Sequence, residues 1–335
     1  MTESPLVIWA VSDGRSGIEN QVVGLAEAVA RLAAQGGRSV EIIVKRVSWK
    51  SWIGRLPSAF NIMPRRWLEP ESAIAAPWPE LWIGAGRASL ALSSRMRRWS
   101  GGGTFVVQVQ DPRRATSLFD LVIPPKHDRI QGENVLSITG SPHKVTPERL
   151  AREYDRFAKK LDPLPAPRAA VLIGGKSRSF DISPARAEAL AHELELALDQ
   201  EQATLLLTFS RRTPEAARNI ITDRLKSRPG LIWNGKGPNP YFAFLAAADF
   251  IAVTEDSTNM ATEAASTGKP VFILKLDGQS MKMRRFHEDL EARGAARPFG
   301  GSFYRWTYEP LSETERAAAE VMRRMGMREK TATPA

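Results

Sequence analysis

The feature that most constrains this chain is a rhythm: short apolar runs bounded by turn residues alternate with segments of helical apolar spacing, and the series is played twice. Strand-like runs fall at 6–11, 40–44, 81–83, 105–109 and 121–123, with helical spacing at 20–34 and 88–99 between them. Strands that alternate with helices predict a mostly parallel sheet covered on both faces. The character then changes to a charged helical stretch, PERLAREYDRFAKKL, followed by the proline-rich DPLPAPR, which reads as a linker. Beyond it the alternation restarts, with strands at 169–173, 204–208, 231–233, 250–254 and 271–274 and helices near 183–198, 215–228, 241–247 and 258–267. The expectation is an α/β protein of two doubly wound Rossmann-like domains. The first takes residues 1–150 and the second 169–308, joined by a linker at 151–168. A helical segment at 309–327 follows the second sheet and is expected to pack back on the first domain, with a disordered tail at 328–335.

A length of 335 residues suits two hydrophobic cores of ordinary size. The chain has no cysteine, which removes disulfides, thiol catalysis and cysteine-based metal sites and suits a reducing, cytoplasmic setting. Its first residues carry no basic n-region or cleavage pattern, and no run of uncharged apolar residues reaches the ~18 needed to span a bilayer. A formal net charge of +10 favours an anionic partner: nucleic acid, a membrane face or a phosphorylated small molecule. The basic residues are dispersed and the zinc-finger, RRM and KH signatures are missing, which argues against nucleic acid.

In doubly wound sheets, ligands bind beyond the carboxyl ends of the strands, where helix N-termini favour anions. Three such loops in the second domain carry suitable groups. Gly174-Gly175-Lys176-Ser177 follows a strand; its glycines would let backbone approach a phosphate and Lys176 adds charge, although a plain glycine turn explains the same residues. Thr208-Phe209-Ser210-Arg211-Arg212 runs past the end of the next strand and offers hydroxyl and guanidinium donors, or a solvated helix start. The third loop, Glu255-Asp256-Ser257-Thr258-Asn259, leads into a helix of small residues that contains Glu263. A glutamate there can accept from both hydroxyls of a ribose while Ser257 and Thr258 meet a diphosphate; the plainer alternative is an N-cap and a surface glutamate.

The stretch EAASTGKPVF around Glu263 resembles the donor-site motif of GT-B glycosyltransferases of the MurG type, and Gly174 to Ser177 resembles the Gly-Gly-Ser loop that opens their second domain. The chain departs from that pattern at Ser257-Thr258, where the family has Gly-Ala. A narrower resemblance spans both halves: SDGRSG with ENQ, IGAGR, QDPR and TEDS are similar to the bacterial relatives of the plant mitochondrial fission (elongated mitochondria) protein, a group long labelled nucleoside-diphosphate-sugar epimerases. The resemblances imply a GT-B-like fold with a central cleft, a donor nucleotide sugar held by the second domain and an acceptor by the first.

On the acceptor side the resemblance puts Asp13 forward as the base that takes the acceptor's proton, with Gly14, Arg15, Gly17 and Asn20 beside it. Gly84, Gly86, Arg87 and Asp111 also follow strands, where glycines turn the chain and an aspartate before proline shapes a turn. His127 and His143 are weaker candidates, more at home as surface or capping residues. Four scattered histidines and no DxD pair point to no metal, and no cofactor is expected beyond the nucleotide sugar as donor substrate. The mix of tryptophans, apolar residues and arginines over 49–67 suits either core packing or an anionic bilayer surface. MurG-type enzymes act on lipid-linked acceptors at the cytoplasmic face of the membrane, so the resemblance implies a cell-envelope glycosyltransferase peripheral to that face. The alternatives are a UDP-sugar 2-epimerase on the same fold and a non-catalytic scaffold that recruits a membrane-remodelling partner.

Overall fold

The computed structural model describes residues 4–49, 68–69 and 74–332. They form two compact units: the first ends at Lys144 and is rejoined from Ser312 onward, and the second is Val145–Leu311.

In the first unit the chain runs β1 (Leu6–Ser12), α1 (Ser16–Gln35), β2 (Val40–Arg46), β3 (Ser48–Trp49), β4 (Leu68–Glu69), β5 (Leu81–Ala85), α2 (Gly86–Trp99), β6 (Phe105–Val109) and β7 (Leu121–Ile123). Five strands pair in parallel in the order β2-β1-β5-β6-β7, and β3 and β4 make a two-residue antiparallel ladder. β1, β5 and β6 are buried nearly throughout because helices cover both faces, which is why they read as unbroken apolar runs. α1 turns Val22, Leu25, Ala26, Val29 and Ala33 inward, a three-and-four spacing that makes one apolar stripe.

The second unit runs α3 (Pro147–Leu161), β8 (Arg168–Ile173), β9 (Phe180–Asp181), α4 (Pro184–Gln200), β10 (Thr204–Phe209), α5 (Glu215–Leu225), β11 (Gly230–Ile232), α6 (Tyr241–Ala247), β12 (Phe250–Thr254), α7 (Thr258–Ala265), β13 (Val271–Leu274), β14 (Asp277–Gly278), α8 (Met281–Ala292) and β15 (Ala296–Pro298). Its six-stranded parallel sheet has the order β11-β10-β8-β12-β13-β15. The strand order reverses beside β1 in the first sheet and beside β8 in the second, and these switch points open a crevice at the carboxyl ends of the strands.

The charged stretch before the proline-rich segment is helical, as its spacing predicts, and belongs to the second unit. α3 is capped by Thr146, whose Oγ1 accepts from the Arg149 N–H, starts at Pro147 and buries Leu161; it packs on α6 as part of the second unit. Its charged residues line the solvent face, and that alternation gave it the look of a connector. α8 and β15 extend the second sheet beyond the last anticipated strand. Met283, Phe286, His287 and Leu290 form the buried stripe of α8, a helical spacing set among charges.

The final helix α9 (Glu313–Ala332) belongs to the first unit, so residues 328–332, expected in the tail, are helical. Ala317, Ala318 and Val321 are buried against α1, Arg31 pairs with Glu315 at 3.2 Å, and the His143 N–H donates to Thr314 Oγ1 at 3.1 Å. Among the described residues no helix is long and apolar enough to cross a membrane. Trp49 closes β3 and donates through Nε1 to the Ala88 carbonyl; the rest of the expected membrane-surface stretch, 50–67, lies outside the described residues.

Candidate nucleotide site in the second unit

The loops after β8, β10 and β12 meet at the switch point. The Gly174 N–H donates to Thr254 Oγ1 at 2.7 Å and the Gly175 N–H to Asp256 Oδ2 at 3.1 Å. The two amides expected to receive a phosphate are therefore engaged by the protein's own side chains. The glycines are still required. A Cβ on Gly174 would lie 2.0 Å from Asp256 Oδ1, and one on Gly175 2.3 Å from the Arg212 backbone. Both glycines admit the neighbouring loops at close approach.

Lys176 pairs with Asp181 at 2.8 Å, which raises its pKa, and Ser177 Oγ accepts from the Ser179 and Phe180 N–H groups to shape a turn. Thr208 is buried within β10, Ser210 Oγ accepts from the Arg212 N–H, and Arg211 adds a second guanidinium beside it. Arg212, the last residue of the anticipated loop, bonds Asp256 Oδ2 at 2.7 Å and the Lys176 carbonyl at 3.2 Å.

After β12, Glu255 accepts from the Leu276 N–H at 2.8 Å and pairs with Lys275 at 3.1 Å. Asp256 accepts from Thr254 Oγ1 at 2.7 Å. Ser257 caps α7 through the Met260 N–H, the plainer of the two expectations; Thr258 Oγ1 donates to Met283 Sδ, and Asn259 follows in the first turn. Glu263 is no surface residue: only 3% of it is exposed, and its Oε2 accepts from the Tyr241 hydroxyl at 2.6 Å. Burial and the adjacent carboxylate push the Tyr241 pKa well above its usual value, so the phenol stays a donor.

The Gly-Lys-Pro that follows α7 has a structural task. Lys269 Nζ donates to the carbonyls of Leu245 (2.7 Å) and Ala246, capping the end of α6, and burial lowers its pKa to about 8. A cavity of about 720 Å³ opens beside this region, lined by Glu255, Lys275, Gln279, Met281, Arg284 and Glu288 among others. Of its lining only Glu255 was anticipated, because the rest lies on α8 and the turn before it.

In the first unit, Asp13 accepts from the Arg15 N–H at 3.1 Å and pairs with its guanidinium at 2.6 Å. Gly14 turns the chain at φ +76° and Gly86 at φ +79°, and a Cβ on Gly86 would stand 3.0 Å from Ile18 and 3.8 Å from the Asp13 carboxylate. The β1 and β5 loops thus converge at this unit's switch point, with Gly17 and Asn20 inside α1 and exposed Arg87 on α2. Gly84 lies within β5, where its missing side chain makes room for Trp82 and Ser93, so it does not turn the chain. Asp111 Oδ1 accepts from the Arg113 N–H at 2.7 Å and shapes a turn two strands away from β1. His127 and His143 are both buried, against the expectation of surface residues, and burial lowers the His143 pKa to about 4.

A model of the family described as mitochondrial fission ELM1 matches residues 16–325. The mitochondrial fission protein ELM1 of Arabidopsis thaliana is 30% identical over 277 residues, 75% of this chain and 65% of that protein, so the chain spans a little under two thirds of its length. An uncharacterized protein of Rickettsia prowazekii (strain Madrid E) is 26% identical over 354 residues, covering 93% of this chain and 96% of its own. Three solved structures share the fold. The UDP-GlcNAc 2-epimerase of Methanocaldococcus jannaschii, in complex with UDP-GlcNAc and UDP, superposes with a TM-score of 0.55 at 12% identity, over 97% of this chain and 100% of that one. The UDP-GlcNAc 2-epimerase of Neisseria meningitidis, bound to UDP-GlcNAc, gives 0.51 at 11% identity over 94% and 99%. The glycotransferase of kitacinnamycin gives 0.53 at 13% identity over 96% and 95%. The fold is GT-B.

Proposed function

The chain belongs to the mitochondrial fission ELM1 family, and from that premise we propose that its second unit holds a nucleoside-diphosphate sugar and passes the glycosyl group to a glycan or lipid-linked acceptor. The observation that carries this reading is the Glu263 carboxylate, buried on α7 just past the switch point and oriented by Tyr241. A buried carboxylate accepts hydrogen bonds strongly, and a ribose diol is a natural donor to one that Tyr241 orients. Lys176, Arg211 and Arg212 lie on the neighbouring loops, where cations favour a diphosphate as ligand and as leaving group. Ser257, whose hydroxyl oxygen caps α7, lies at the start of that helix where its hydrogen can reach an anion. The 720 Å³ cavity beside Glu255 has room for the sugar. In the first unit Asp13 is the candidate base, and Arg15 would have to release it before it could take a proton.

The test is calorimetric titration of the purified chain with UDP, GDP, CMP and their sugar conjugates, without added metal. Micromolar binding of one nucleotide, weakened about tenfold or more in Glu263→Ala, is expected. Binding of none removes the reading and turns the search to protein and membrane partners, as the name of the Arabidopsis relative suggests. A second reading, sugar 2-epimerisation, is supported by the two epimerases that share the fold. Release of an epimerised sugar without any acceptor would select it.

A further inference from the structure

The loop after β10 carries two arginines, Arg211 and Arg212, and the second closes on the switch point. Its Nη2 donates to Asp256 Oδ2 at 2.7 Å, and its Nη1 to the Lys176 carbonyl at 3.2 Å with the Gly175 carbonyl at 3.5 Å. The Asp256 side chain has no exposure at all and also accepts from the Gly175 N–H and from Thr254 Oγ1, which in turn accepts from the Gly174 N–H. Three loops, from three adjacent strands, therefore close on one carboxylate. Burying that charge without a cation would cost several kcal/mol, so the guanidinium is committed to this position.

The commitment leaves part of the group open to solvent. Arg212 meets Asp256 with one edge of a planar group while 45% of its side chain remains exposed. A guanidinium held in this way loses little rotamer freedom when an anion arrives and presents donors in a fixed fork. The glycine amides of the β8 loop are spent on Thr254 and Asp256, and Lys176 leans on Asp181.

The geometry points to Arg212, positioned by the buried Asp256 carboxylate, as the group that recognises the diphosphate of the ligand, in place of the Gly174 and Gly175 amides. This rests on the nucleoside-diphosphate reading above. Asp256 is a positioning residue and does not touch the ligand.

The experiment titrates the full chain with UDP, GDP and CDP, each against its own nucleoside, and with inorganic pyrophosphate. Arg212→Ala is expected to weaken the diphosphate that wild type binds, and pyrophosphate, at least tenfold, while binding of the nucleoside changes less than twofold. Arg212→Lys restores only part of the loss, and Arg211→Ala weakens diphosphate binding less than Arg212→Ala does. Asp256→Asn weakens the diphosphate in the same selective way, and the double variant Asp256→Asn/Arg212→Ala binds no worse than Arg212→Ala. A purely structural Arg212 would lower thermal stability and leave the ratio of diphosphate to nucleoside affinity at its wild-type value; that result overturns the inference. So does transfer of the loss to Arg211→Ala. If Asp256→Asn does not fold, the Arg212 and Arg211 arms decide alone. Diphosphate binding that Glu263→Ala weakens and Arg212→Ala spares refutes the Arg212 assignment and leaves the functional reading standing. Failure of wild type to bind any of these probes refutes both.

Discussion

An alanine at position 174 has no room. Its Cβ would stand 2.0 Å from Asp256 Oδ1 and 2.6 Å from the carboxylate carbon, against ordinary contacts of about 3.4 Å or more. The Asp256 side chain is wholly buried, so it can escape only by leaving its donors: the Gly175 N–H at 3.1 Å, Thr254 Oγ1 at 2.7 Å and Arg212 at 2.7 Å. A hydrogen bond to a charged group contributes about 1.5–3 kcal/mol and overpacking costs about 1–3 kcal/mol. Loss of one bond with some residual strain therefore predicts a destabilisation of about 3 kcal/mol. For a unit of this size that corresponds to a fall in Tm on the order of 6–12 °C, read by differential scanning calorimetry on the second unit's transition. The diagnostic arm is the double variant Gly174→Ala/Asp256→Ala. With the carboxylate gone the methyl group has space, so adding it to Asp256→Ala is expected to cost less than ~1 kcal/mol, a coupling of about 2 kcal/mol. A Gly174→Ala protein within ~1 kcal/mol of wild type, or an equal penalty in both backgrounds, refutes the reasoning.

His143 is buried, its pKa lowered from 6.5 to about 4 first by desolvation and then by the Arg31 charge. Between those values the unfolded chain binds a proton that the folded chain does not. Stability is therefore complete above pH 6.5 and declines by about 3 kcal/mol as the pH falls to 4; denaturant titrations across this range are expected to show the decline in wild type and a smaller one in His143→Gln. Val321→Ala, which empties a fully buried position between α9 and α1, is expected to destabilise the first unit by about 2 kcal/mol while leaving the second unit's transition in place; a shift of the second transition alone would contradict the assignment of α9. Tyr241→Phe removes the donor at 2.6 Å from the buried Glu263 carboxylate and should cost the second unit about 1–3 kcal/mol, with the penalty mostly absent in a Glu263→Leu background, which lacks the acceptor; equal stability would show that the pair contributes nothing.

Most of the fold was legible because parallel strands covered on both faces carry no polar alternation. The runs at 105–109, 121–123, 250–254 and 271–274 begin and end where β6, β7, β12 and β13 do. Two kinds of element escaped. α8 hides four buried residues among eight others, six of them charged, along MKMRRFHEDLEA, and α3, read as helical, shows solvent a charged face that resembles a connector and conceals its place in the second unit. Both take their stability from tertiary packing, which local composition does not record.

The site was legible as loops and not as contacts. Glycine at 174 and 175 announces a close approach, but the sequence does not say by what, and the structure answers with Asp256 and the Arg212 backbone. Lys269 was read within a motif, yet its partners are the carbonyls of Leu245 and Ala246, more than twenty positions earlier in the chain. Tyr241 left no signal at all, since a tyrosine at the start of a short helix has many uses and only the fold brings it to Glu263.

The two switch points repeat one device with opposite consequences. Each sets an aspartate and an arginine beside a close-packed glycine: Asp13 and Arg15 near Gly86 in the first unit, Asp256 and Arg212 against Gly174 in the second. Asp256 has no exposure and donors from three loops, so a hydroxyl from outside cannot reach it and its charge serves to hold the guanidinium. Asp13 keeps 18% of its side chain open and its arginine is 67% exposed, so the pair can part at low cost. Burial thus divides the labour between two chemically identical pairs. The enclosed carboxylate fixes a guanidinium in place, and the open one keeps the freedom to change partners.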